Sequence, residues 1–164
     1  MPRVNAATAL HCNAVSALRT IRTWTLALLV FGMLGTITEL LLLKHYEEGW
    51  QFVPLLLIAL TLGVVAWHVA RPDAGSIRVL RALMTLFVLA GFIGIGLHFD
   101  GAAEFQEEID PAQTRWEIFK KAMRAEAPPV LAPGVMMQLG LLGLVYAYRH
   151  PATCRADAAA ARKV

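Results

Sequence analysis

Four stretches of this chain are long and apolar enough to cross a lipid bilayer: Trp24 to Leu43, Phe52 to Val69, Val79 to Phe99 and Val130 to Tyr148. Each has about 18 to 21 residues, and at about 1.5 Å per residue that matches the roughly 30 Å hydrocarbon core. Backbone groups in lipid must bond within their own segment, so each stretch is expected to be a helix. Composition points the same way. Of 164 residues, 57% are apolar and 16% charged, too little polar surface for a soluble domain. The expected fold is all-α: one integral membrane domain over residues 1–164, a four-helix bundle with neighbouring helices antiparallel.

The first stretch is not read as a cleaved signal peptide. Arg19 and Arg22 precede it, but the apolar run is too long and no small-residue cleavage site follows. The basic residues then orient the bundle. Arg3, Arg19 and Arg22 precede the first span, and Arg71, Arg78 and Arg81 lie in or beside the second connection. Arg149, Arg155, Arg162 and Lys163 follow the fourth span, whereas the first connection has only Lys44. The excess of positive charge on the cytoplasmic side places both termini there, in a membrane most simply read as a bacterial inner membrane. Cys12 and Cys154 fall on the same side, where thiols stay reduced, and neither has a CxxC partner.

With that orientation, the first and third connections share the outer, periplasmic face. Together they carry His45, Glu47, Glu48 and Gln51, then His98, Asp100, Glu104, Glu107, Glu108 and Asp110. Imidazole and carboxylate together suit zinc, iron, manganese or oxidised copper. The expected metal ligands are His45, Glu48, His98 and Glu104, with Glu108 as a further carboxylate and Glu39 beneath them. Glu39 lies about one turn inside the first span, where a carboxylate is costly and marks a functional suspect. The competing account is an acidic, solvated face that helps set topology, and for Glu47, Glu107 and Asp110 taken singly that account is preferred.

The remaining features are placed more simply. Residues 1–20 have weak amphipathic spacing and suggest a helix on the inner surface, its arginines toward anionic headgroups. Residues 112–125 suggest a short helix on the outer interface, with Trp116, Phe119 and Met123 on one stripe. The run Gly91–Gly96 (GFIGIG), with Gly140 and Gly143, suits close helix packing within the chain or against a homo-oligomeric or other membrane partner. No phosphate loop, catalytic triad or basic-aromatic nucleic-acid surface occurs, and nothing specifies an enzyme.

The function these features suggest is cation binding at the outer face, for sensing, delivery or transport. The alternative is a non-catalytic accessory or assembly subunit of a membrane complex. A third reading pairs His45 with His98 and His68 with His150 as axial ligands of two haems in an electron-transfer protein.

Overall fold

The computed structural model describes residues 6–124 and 130–154, with side chains from residue 13 onward. The elements are α1 (Ala6–Leu42), α2 (Phe52–Ala70), α3 (Ala74–Ile109), α4 (Arg115–Met123) and α5 (Leu131–Ala147). A 3-10 turn, Gly49–Gln51, precedes α2, and the described residues contain no strand. The chain is therefore all-helical over its described length. Three helices, α1, α2 with its leading turn, and α3, are long and apolar enough to cross a membrane. The fourth apolar helix, α5, has 17 residues and a length of about 26 Å.

Two helices are longer than the spans read from hydropathy. A separate surface helix at the N-terminus was expected, yet α1 runs unbroken from Ala6 to Leu42. No proline or glycine occurs between Ala6 and Phe31 to interrupt it. Residues 1–5, the side chain of Cys12, the segment 125–129 and the alanine-rich tail from 155 lie outside the described residues. At the other end of the chain's middle section, α3 continues past Phe99 to Ile109, 36 residues in all. It stops where Asp110 and Gln113 take over its last carbonyls and amides. Gln113 Nε2 donates to the carbonyls of Gln106 (3.1 Å) and Asp110 (3.2 Å), and Ala112 N–H donates to Asp110 Oδ1 (3.1 Å).

Local chemistry explains the remaining ends. Pro54 sits in the first turn of α2, where amides have no intrahelical partner. Pro72 ends α2, and Asp73 caps α3 by accepting from Ser76 N–H at 2.7 Å. Gly75 lies inside the first turn of α3. The short helix expected over residues 112–125 is present as α4, started by a capping box in which Thr114 N–H donates to Glu117 Oε2 at 2.9 Å. Its inner side is Ile118 and Ala122; Trp116 is 64% exposed and stacks on Phe119, with centroids 5.4 Å apart.

The largest helix–helix contact is between α3 and α5, and the glycines explain why it is close. A Cβ on Gly140 would lie 2.8 Å from the Met84 carbonyl oxygen and 2.8 Å from Val88 Cγ2. One on Gly91 would lie 2.8 Å from the Pro133 carbonyl oxygen, and one on Gly143 would collide with the Met84 side chain. These pairings run antiparallel along α3 and α5, and Arg81 Nη2 closes the seam by donating to the Ala147 carbonyl at 3.0 Å. Gly91 and Gly94 thus face α5 within the chain. Helix α2 packs on α3, and α1 touches both α2 and α5. Leu29, Met33, Ile58, Met84 and Phe87 fill the space between the helices and are fully buried.

Candidate functional site

The end of α1 places His45 by a specific C-terminal turn. Lys44 adopts the left-handed backbone, φ 52°. His45 N–H donates to Leu40 C=O at 2.8 Å and Lys44 N–H to Leu41 C=O at 3.2 Å. These two bonds are the Schellman pattern, with Lys44 where glycine is usual and His45 directly after it. The following turn is held by Gln51, whose Oε1 accepts from the amides of Glu47 (2.8 Å) and Glu48 (3.2 Å). Gln51 is therefore a structural residue here.

His98 reaches the same place from α3. The His45 and His98 rings have centroids 6.0 Å apart and planes only 18° from parallel. Two imidazoles on one metal ion, with bonds of about 2.0–2.1 Å, have centroids no more than roughly 6.4 Å apart. The centroid spacing is within that limit, and the near-parallel rings must turn about their side-chain bonds to aim a nitrogen each at one ion. Partial burial pushes the His45 imidazole below its ordinary pKa, His98 pushes it further down, and the Glu48 carboxylate pulls it back up. His45 is thus held toward the neutral form that ligates metal.

Glu104 and Glu108 stand apart from this pair. Because α3 stays helical to Ile109, Glu104 lies about 9 Å further along the axis than His98 and about 120° around it. Glu108 lies about 15 Å further along. Both are exposed, as is Glu39 on α1. Thr36, one turn before Glu39, donates its hydroxyl to the Gly32 carbonyl at 2.9 Å. Among the described residues, no group of three or more His, Cys, Asp or Glu side chains forms a metal cage.

The opposite end holds a second polar cluster that hydropathy did not reveal. His68 is 4% exposed and lies against Tyr146 and His150, with ring centroids at 5.9 and 5.1 Å. The Ser76 hydroxyl donates to the Asp73 carbonyl at 2.9 Å, so it receives the Nδ1 proton of His68 at 2.8 Å. His150 Nδ1 accepts from Ala152 N–H at 3.3 Å, leaving the proton of the neutral ring on Nε2. Burial, His68 and Arg22 together bring His150 down to about 4. Arg22 also donates to the carbonyls of Tyr148 (3.5 Å) and Arg149 (3.1 Å). The signal that could have located this cluster is Pro72-Asp73 followed by Ser76, a helix-start pattern one turn from His68.

No family model matches this chain, and no curated protein or solved structure matches it.

Proposed function

We propose that this chain is a four-helix membrane bundle, both termini cytoplasmic, that binds a transition-metal cation between His45 and His98 at its outer end. The observation that carries the reading is the facing pair of rings, 6.0 Å apart, delivered by two different helices. Glu48 beside His45 supplies negative charge, and solvent completes the coordination. The fourth crossing is assigned to α5, whose short length is offset by its antiparallel seat on α3. The orientation is supported by Arg22, Arg78, Arg81 and Arg149 gathering at the end remote from His45 and His98.

Sensing or delivery fits better than transport. The core between the two ends is apolar, and Thr61 is the only fully buried polar side chain within α2. A haem between either histidine pair needs an open slot for its ring. Neither pair lines the cleft beside Arg78 and Arg149 or the one beside Phe99 and Phe119, and a bare ion asks for less space than a haem.

The test is metal content and affinity of the purified full chain, using zinc and cobalt, in the parent, His45→Ala, His98→Ala and a His68→Ala control. The expected result is one bound ion, with at least about 10-fold weaker binding on loss of either outer histidine and no change in the control. Absence of a bound ion, or equal binding by all four proteins, rejects the site.

A further inference from the structure

At the end opposite His45 lies a cleft of about 650 Å³ between the start of α3 and the residues after α5. Arg78, Arg81 and Arg149 line it with Tyr148 and Cys154, and no carboxylate is among its described lining residues. We propose that this cleft holds the phosphate of an anionic phospholipid headgroup, a site distinct from the metal pair and resting only on the chain's insertion in a bilayer.

Three features support this occupant. The arginines are pre-positioned: Arg81 is anchored on the Ala147 carbonyl at 3.0 Å, and the Arg149 guanidinium lies 6.0 Å from the Tyr148 ring. Arg149 has φ 44°, a left-handed backbone that few non-glycine residues adopt, and Arg22 holds it there through its carbonyl at 3.1 Å. The depth is right as well. If Phe99 marks one edge of the hydrocarbon, the other edge falls about 30 Å away near Val79, which puts Arg78 at headgroup level and Arg81 about 3 Å inside that edge, within reach of the headgroups. Guanidinium groups match phosphate oxygens in a forked geometry, and basic pockets between membrane helices suit acidic headgroups.

Cys154 is exposed in the same cleft and reports occupancy. The full chain carrying Cys12→Ser is placed in nanodiscs of phosphatidylcholine, with or without phosphatidylglycerol, and the maleimide labelling rate of Cys154 is measured. Phosphatidylglycerol is expected to slow labelling several-fold. The Arg78→Gln/Arg149→Gln double variant, which leaves the Arg81 anchor intact, is expected to label at the phosphatidylcholine rate in both discs. Lys120→Gln/Lys121→Gln, at the other end, is expected to behave like the parent. Circular dichroism checks that the double variant is folded. Equal labelling in both discs, or slowing that persists in the folded double variant, overturns the proposal. Equal protection by millimolar inorganic phosphate in phosphatidylcholine discs, lost in the double variant, overturns the lipid assignment in favour of a soluble phosphate.

Discussion

Replacing Gly140 with alanine tests the α3–α5 seam directly. The new methyl would sit 2.8 Å from the Met84 carbonyl oxygen, 2.8 Å from Val88 Cγ2 and 3.0 Å from Phe87 Cβ, where ordinary contact begins at 3.4 Å. Val88 can rotate, but a backbone carbonyl cannot, so relief requires α3 and α5 to part by about 0.6 Å. A gap of that size forfeits a quarter to a half of each affected contact. If roughly 30 carbon contacts each lose about 0.05 kcal/mol, the loss is about 1.5 kcal/mol, within the ~1–3 kcal/mol usual for overpacking. In lipid no hydrophobic term compensates, because the surrounding tails are as apolar as the core. Alanine also stabilises a helix relative to glycine, so the control is Gly35→Ala, where an added Cβ meets nothing within 4 Å. Thermal unfolding in detergent, followed by circular dichroism, is expected to place Gly140→Ala about 3–10 °C below Gly35→Ala. A Gly140→Ala protein that melts at or above the control refutes the close-packed seam.

Three further outcomes follow from particular groups. Lys44→Gly is expected to raise stability by about 0.5–1 kcal/mol, because φ 52° strains lysine and not glycine, and to keep metal binding; a lower melting temperature counts against the Schellman turn. Thr61→Val is expected to be neutral or stabilising by up to about 1 kcal/mol, since the Thr61 hydroxyl is fully buried with no hydrogen-bond partner among the described residues; a clear loss of stability points to a polar role. For His150, the folded value of about 4 lies below the ordinary 6.5, so only the unfolded chain takes up this proton between those limits. Stability is therefore unaffected by this group above about pH 6.5 and falls as pH drops toward 4. A shift of this size sets a ceiling of about 3 kcal/mol, reduced to roughly 1–2 by solvent at the rim. Chemical denaturation at pH 7 and pH 4.5 measures it, and His150→Asn should flatten the dependence; an unchanged slope in that variant assigns the effect to other groups.

Much of the helical organisation was legible because its cause is local. An apolar run such as Phe52–Val69 must be helical in lipid wherever it lies, and α2 spans Phe52–Ala70. Thr114 and Glu117 likewise predict the start of α4, since a capping box acts over one turn. The candidate site was less legible. His45 and His98 were named together because two crossings return the chain to one end, but Glu104 and Glu108 were grouped with them as part of one connection, which α3 instead carries on to Ile109. Hydropathy falls there while helical hydrogen bonding continues, so composition reports where lipid ends and not where the helix does.

What the sequence by itself determined is the all-helical character and the presence of membrane-length apolar helices, because bilayer thickness and unsolvated backbone constrain each segment separately. Only the tertiary structure decided that Gly91 packs on Pro133 and Met137 while Gly140 and Gly143 pack on Met84, that His68 is buried against His150, and that His45 meets His98 ring to ring. Those outcomes depend on helix rotation and on a single left-handed residue at Lys44, quantities set by packing between segments distant in the chain.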